Sequence, residues 1–160
     1  MILFLGLSWF VLTRDSITRQ GINYKVSEIR IPLYLKILNF TDRHFNYQWL
    51  AGRIIDGESG GLQKARKILH WTADHIAEQP DDHVWNIIVR GYGKEDQMAD
   101  VFATLSNYAG LKAFVWRFYG PSRSSSEHIC LAAVHLDGAW RLCDIRRRTE
   151  FIGPDGTGLQ

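Results

Sequence analysis

The feature that most constrains the fold is an apolar helical stripe followed directly by three strands, in the second half of the chain. Apolar residues recur three and four positions apart, and Gly110 stands where a helix commonly ends: Met98, Val101, Phe102, Leu105 and Ala109. Residues 113–119, 128–136 and 139–145 are predicted strands, and Asp137-Gly138 is a strong hairpin signal between the last two. Helices followed by an antiparallel meander predict an α+β fold, with helices packed on a small antiparallel sheet.

Two further helices are predicted upstream of this block. One is amphipathic, with apolar residues at helical spacing: Leu62, Ala65, Leu69, Ala73 and Ile76. The other is a short helix that Thr41 is expected to cap. Residues 13–40 alternate irregularly and predict one or two edge strands or a linker, and residues 149–160 predict a flexible tail. The expected domain therefore spans residues 41–148.

Residues 1–12 form an apolar N-terminal segment, in which Ile2 to Leu12 is unbroken apart from Ser8. A run of this length suits the core of a signal peptide but falls short of the roughly 20 residues needed to cross a bilayer. No basic residue precedes the run and no small-residue cleavage site follows it, which counts against a signal peptide. Three hypotheses remain: a buried element, an interfacial anchor, or a membrane anchor whose upstream part is missing. The absence of a polar face favours a membrane-associated or cell-envelope location over a cytoplasmic one.

Charge and cysteine content exclude several function classes. A net charge of +2 is too small to indicate a nucleic-acid partner, and the one basic run, residues 146–148, is interpreted as a solvated turn rather than a binding patch. The two cysteines, Cys130 and Cys143, form neither a disulfide framework nor a CxxC zinc motif. No cofactor and no metal is expected.

Three residues suggest the remains of a thiol acyl-transfer site. Such a site places its nucleophile at a helix N-terminus, with a histidine as base and a carboxylate to orient the histidine. The chain has a glycine-rich approach at residues 91–93 and a helix that begins near Glu95. His128 opens one predicted strand and Asp144 closes its hairpin partner, which places them at the same end of the hairpin.

Two sequence blocks resemble the transglutaminase-like superfamily, whose fold is papain-like. Residues 90–99, Arg-Gly-Tyr-Gly-Lys-Glu-Asp-Gln-Met-Ala, are similar to the pattern Gly-x-Cys-Asp-Gln-x-Ala that opens the helix of the nucleophile. The second block resembles the "His … Asp-Gly-x-Trp … Asp" block that contains the catalytic histidine and aspartate: His128, Asp137-Gly138, Trp140 and Asp144. The resemblance covers about two thirds of the chain. It implies thiol-dependent acyl transfer or amide hydrolysis, with Glu95, His128 and Asp144 as the catalytic positions.

This chain departs from the family pattern in three places. Glu95 stands where the family has its nucleophilic cysteine, and a carboxylate cannot replace a thiolate in amide acyl transfer. Cys130 replaces a tryptophan two residues after the histidine. The 16 residues from His128 to Asp144 are one more than usual, so that a β-bulge would be needed to bring the two side chains together.

The leading hypothesis is therefore a transglutaminase-like domain without catalysis, which binds a peptide, protein or polymer in the former active-site cleft and associates with a membrane through residues 2–12. The alternative is an enzyme. It would be a thiol acyltransferase or peptidase with Cys130 as a displaced nucleophile, a protein whose natural parent has cysteine at position 95, or a metal-assisted hydrolase built around Glu95 and His128. Cys130 is more simply explained as a buried apolar residue.

Overall fold

The computed structural model describes residues 2–22, 25–77, 84–91, 93–119 and 128–151, and its side chains are described for most of these. The helices are α1 (Ile2–Leu12), α2 (Leu33–Ile54), α3 (Gly61–His75), α4 (Val84–Arg90) and α5 (Glu95–Tyr108). The strands are β1 (Asp15–Ile22), β2 (Lys25–Pro32), β3 (Lys112–Tyr119), β4 (His128–Leu136), β5 (Ala139–Asp144) and β6 (Thr149–Phe151). The predicted α+β class, helices on a small antiparallel sheet, is confirmed.

α5 is the central helix of the core. Val101, Phe102 and Leu105 are fully buried on it, which confirms the predicted apolar stripe. The helix contacts α2, α3 and α4 and lies on β3 and β4. It ends at Tyr108, and Gly110 follows two residues later with a φ of +82°, the left-handed conformation that favours glycine. The Asn107 side chain then fixes the turn into β3, because its amide donates to the Ala113 carbonyl at 2.8 Å.

The main sheet is an antiparallel meander in the order β3-β4-β5-β6. The hairpin between β4 and β5 turns at Asp137 and Gly138, with φ of +51° and +85°, as a type I′ turn requires. β6 follows a turn over residues 145–148 and pairs with β5. The predicted tail therefore begins three residues too early, because residues 149–151 form this edge strand. The rest of the predicted tail lies outside the described residues.

The two faces of the main sheet differ. Ala132, Val134 and Cys143 face the helices and belong to the main core. On the other face, Phe114 and Trp116 are 40% and 45% exposed. Aromatic rings follow one another along this outer face: Phe114 lies 4.9 Å from Trp140, and Trp116 stacks on Phe118 at 5.6 Å between ring centroids.

The helix predicted to begin at Thr41 begins earlier. β1 and β2 pair as a separate two-stranded sheet, from Asp15 opposite Pro32 to Ile22 opposite Lys25. Pro32 closes β2 and directly precedes α2, where its fixed φ and missing N–H disrupt no hydrogen bond. Thr41 lies inside α2 and donates its hydroxyl to the Ile37 carbonyl at 2.8 Å. The prediction was wrong because residues 33–40 are mostly apolar, with only Lys36 and Asn39 between them, and show no clear helical periodicity.

α1 is mostly exposed over residues 7–12, the part of the helix whose side chains the structure describes. Leu7, Trp9 and Phe10 are 61%, 72% and 55% exposed, which argues against the hypothesis of a buried N-terminal element. Among the described residues, no helix is both long and apolar enough to span a bilayer.

Candidate functional site

A glycine-containing loop leads the chain into α5 at the position where the nucleophile was expected. Ala77, just after α3, accepts a hydrogen bond from the Gly93 N–H at 2.6 Å. A side chain at position 93 would have no room, because its Cβ would lie 2.9 Å from Ile87 Cγ2 and 3.3 Å from Gln97 Cβ. Gly91 has a φ of +74°. The loop is therefore fixed against α3 and α4, and it determines where α5 begins.

Glu95 is the first residue of α5 and is half-buried. Lys94 precedes the helix, and its N–H donates to the Gln97 side-chain oxygen at 2.7 Å. The Asp96 carboxylate accepts from the Gln97 N–H at 3.0 Å. These bonds satisfy N–H groups that every helix start leaves unpaired, and two carboxylates in the first turn stabilise the positive end of the helix dipole. The predicted helix start at Glu95 is confirmed.

The start of α5 faces the paired strands β3 and β4, where Arg117 lies directly opposite Cys130. The Arg117 side chain is hydrogen-bonded to the Cys130 thiol, which is almost completely buried. Burial is the main cause that raises the pKa of the Cys130 thiol, and the negative charges of Asp96 and Glu95 raise it further, while Arg117 opposes them. The thiol therefore stays protonated at neutral pH, and a protonated thiol is a poor nucleophile.

Asp100, one turn along α5 from Asp96, completes this polar cluster. Burial and the neighbouring Asp96 charge raise the pKa of Asp100 to about 6, in spite of the opposing effect of Arg117. Asp100 in turn acts on Tyr47 of α2, whose pKa is raised mainly by burial. We call Glu95, Asp96, Asp100, Arg117 and Cys130 the α5 cluster.

Asp144 lies at the end of β5 and is 3% exposed. Its Oδ1 accepts from the Arg147 N–H at 2.9 Å, and its Oδ2 lies 3.4 Å from the Arg147 guanidinium. These contacts stabilise the turn between β5 and β6. The basic run at residues 146–148 forms that turn, as interpreted from the sequence, and Arg148 pairs with Asp74 of α3.

The relation of His128 to Asp144 is described only for the backbone, because the His128 side chain lies outside the described residues. His128 begins β4 opposite Tyr119, and Cys143 pairs with Ala132. The register between β3 and β4 runs without a bulge from Lys112 to Tyr119. Extending the β4–β5 register by one residue would place Asp144 opposite Leu131, about 10 Å along β4 from His128. The convergence of Glu95, His128 and Asp144 stays a prediction.

Sequence reasoning missed Arg117, Asp100 and Tyr47. A signal for Arg117 was available: it alternates with Ala113 and Val115, which pack on the core, so that a charged residue lies on the apolar side of β3. Asp100 gave a weaker signal, four residues after Asp96 and therefore on the same side of α5. Tyr47 lies more than 50 residues away in the chain, and only packing of α2 on α5 reveals its role.

Within the described part of the chain, no group of three or more histidine, cysteine, aspartate and glutamate side chains is arranged to hold a metal ion. Cys143 is the second thiol of the chain. Burial raises the pKa of the Cys143 thiol to about 12. Both described thiols are therefore unreactive at neutral pH.

Solved structures show the same fold, although no protein-family model and no curated protein matches the sequence. A "putative cysteine protease" from Cytophaga hutchinsonii superposes with a TM-score of 0.57 at 14% identity, over 66% of this chain and 38% of that protein. A structure described as a TGase gives a TM-score of 0.51 at 15% identity, over 88% and 46% of the two chains. A "putative protease" from Parabacteroides distasonis gives 0.50 at 9% identity, over 91% and 41%.

These likenesses define the class of fold: the chain has the papain-like, transglutaminase-like α+β architecture that its sequence motifs predict. It spans less than half the length of each of these three proteins. At identities of 9% to 15%, the likeness applies to the fold alone.

Proposed function

We propose that this chain is a transglutaminase-like domain without thiol catalysis that binds a peptide or polymer in the cleft between the start of α5 and strands β3 and β4. The single observation on which this proposal depends is the residue at the start of α5. Glu95 takes the first helical position, where the family pattern has its nucleophile, and both thiols of the chain are buried on strands, Cys130 on β4 and Cys143 on β5.

The α5 cluster supports a binding role. It combines three carboxylates in the first two turns of α5 with one guanidinium on β3. Carboxylates are hydrogen-bond acceptors, and a preorganised set of them suits a ligand that presents N–H or O–H donors. Peptide backbones, primary amines and polysaccharide hydroxyls share this chemistry. We further propose that α1 attaches the domain to a membrane.

The rival enzyme with Cys130 as nucleophile is disfavoured by electrostatics. Active thiols lie near positive charge or a helix N-terminus without competing anions, so that their pKa is lowered. The pKa of Cys130 is raised instead, by burial and by Asp96 and Glu95. The metal-assisted alternative would need His128 as a ligand beside Glu95, and the His128 side chain lies outside the described residues.

The decisive experiment restores a thiol at the start of α5. The unmodified protein should show no thiol-dependent transamidation of a glutamine-containing peptide by a primary-amine dye. In Glu95→Cys, the new thiol should react with iodoacetamide faster than Cys130 or Cys143, because the helix dipole, together with the His128 imidazolium that the proposal expects beside it, would lower its pKa below about 8.5. Adding His128→Ala should abolish the part of this rate enhancement that the imidazolium causes.

A matched control separates the site from the helix dipole and from exposure. Gln63 is exposed in the first turn of α3, so Gln63→Cys places an accessible thiol at another helix start. If Glu95→Cys is labelled no faster than Gln63→Cys, the cleft does not activate a thiol beyond what a helix start does. Fast labelling of Cys130 in the unmodified protein, lost on His128→Ala, would overturn the proposal in favour of the enzyme.

Binding is tested separately by screening peptides and oligosaccharides against the unmodified protein and Glu95→Arg. The charge reversal should weaken binding of a true cleft ligand without lowering the melting temperature by more than a few degrees, because position 95 is partly exposed. A ligand that binds both proteins equally would lie outside the cleft.

A further inference from the structure

Large apolar side chains are exposed on the part of α1 whose side chains the structure describes, residues 7–12, where Ser8 alone is polar. Leu7, Trp9, Phe10 and Val11 are between 48% and 72% exposed. These four successive or nearly successive positions point in different directions around a helix, at 100° per residue. A protein partner would cover one side of such a helix, whereas lipid covers every side that α2 leaves free.

A second apolar surface lies on the outer side of α2. Tyr34, Leu38, Phe45 and Trp49 are 40% to 64% exposed and recur at spacings of four, seven and four residues, which places them on one stripe. Tyr47 and Ala51 are buried on the opposite side of the helix, against the core. We call these four residues the α2 stripe. α1 contacts α2, so the two apolar surfaces belong to one part of the molecule.

Positive charge is concentrated in the same part of the chain. Residues 1–53 contain seven lysine and arginine residues against three aspartate and glutamate residues, a net charge of +4 in a chain whose total is +2. Two of these cations lie directly on the exposed aromatic rings. The Arg14 guanidinium lies 4.5 Å above the Phe10 ring, and the Arg53 guanidinium lies 5.5 Å from the Trp49 ring.

We propose that α1 and the α2 stripe together form a lipid-binding surface that docks on an anionic bilayer leaflet. This inference deepens the membrane attachment proposed for α1 and is independent of the cleft. α1 is about 16 Å long, roughly half the hydrocarbon thickness of a bilayer, so it enters one leaflet without crossing the membrane. Aromatic and basic residues then lie at the headgroup level, where Trp, Tyr, Lys and Arg are favoured, and anionic lipids complement the +4 charge.

The test measures binding of the full chain to vesicles of phosphatidylcholine, with or without about 30 mol % phosphatidylserine. Binding should be stronger by about tenfold or more with phosphatidylserine and should weaken with salt, since lipid charge acts within a Debye length. Trp9→Asp, and separately Trp49→Ser, should each weaken binding by about tenfold. Asp42→Asn should strengthen it, because Asp42 is the exposed acid beside Leu38 and Phe45.

Trp116→Ser is the matched control, since Trp116 is 45% exposed on the outer face of the main sheet and should not affect vesicle binding. Circular dichroism checks that each variant folds. Equal binding of Trp9→Asp and the unmodified protein would overturn the proposal. A second result would also overturn it: the protein forms a dimer without lipid, Trp49→Ser dissociates that dimer, and neither protein binds vesicles. The apolar surface would then be covered by a second copy of the chain rather than by lipid. Neither outcome depends on iodoacetamide labelling at position 95.

Discussion

Individual residues in the α5 cluster show how a site can keep the geometry of its fold while its chemistry is altered. A negative charge at position 95 stabilises the helix start that a thiolate would otherwise use. The same charge, with Asp96, helps to keep Cys130 protonated. The residues of the cluster therefore act together, and substitution of one should change the pKa of another.

Asp100 should make stability fall as pH rises. Its pKa is about 6 in the folded protein against 3.8 when exposed, so the folded state binds the proton more tightly. Its contribution is therefore present below pH 4 and is lost as pH rises through 6. Relative to the unmodified protein, Asp100→Asn should gain about 2 kcal/mol in free energy of unfolding between pH 4 and pH 7.5, as chemical denaturation would show.

Asp96→Asn tests the cause of this shift. Removing the Asp96 charge should reduce the pH dependence that Asp100 contributes, since Asp96 is the main charge that raises the pKa of Asp100. An Asp100→Asn variant whose stability parallels that of the unmodified protein from pH 4 to pH 7.5 would contradict the assignment.

At the scale of the elements, sequence periodicity predicted those helices and strands that bury one face. The bounds of β4 agree with the prediction at both ends, and α3, α5, β3 and β5 agree within one residue or two. α4 was not predicted because residues 84–89 are apolar apart from Asn86 and are too few to show a helical period. β6 was missed because a three-residue edge strand is defined by its pairing with β5 rather than by its own sequence.

The glycine loop before α5 should tolerate no side chain. In Gly93→Ala, the new Cβ would meet Ile87 and Gln97 at 2.9 and 3.3 Å, so either α4 or the start of α5 must move. The expected loss is about 1–3 kcal/mol in free energy of unfolding, as in overpacked cores. Gly52→Ala is the control, since its Cβ would meet nothing within 4 Å inside α2, and it should stabilise the protein by about 0.5–1 kcal/mol. Urea denaturation of both variants gives the comparison, and equal stabilities would contradict this account.

At the scale of the whole molecule, the sequence predicted the fold class and the helix that bears the candidate site, because both depend on local patterns. It did not predict the α5 cluster, since Asp100, Arg117 and Cys130 come from three separate elements and meet only when those elements pack.

Removal of residues 1–13 should leave a folded domain. The described side chains of α1 are mostly exposed and belong to neither core cluster. The truncated protein should keep its far-UV circular dichroism per residue and melt within a few degrees of the full chain, because the core that determines stability is unchanged. It should also lose most of its vesicle binding. A truncated chain that unfolds would show that α1 is required by the core.

The strand order β3-β4-β5-β6, in which each strand pairs with the next along the chain, bears on how the protein is made. Pairing between sequence neighbours closes short loops, and folds rich in such contacts form quickly once their residues are available. All of these strands follow α5, so the main sheet can be complete only when synthesis has reached residue 151. At about 5–20 residues per second, synthesis from Leu12 to Phe151 takes roughly 7–28 s, and the apolar α1 segment is accessible during this time, before a core exists. Throughout that interval, α1 is an exposed apolar segment on a nascent chain that has not yet folded.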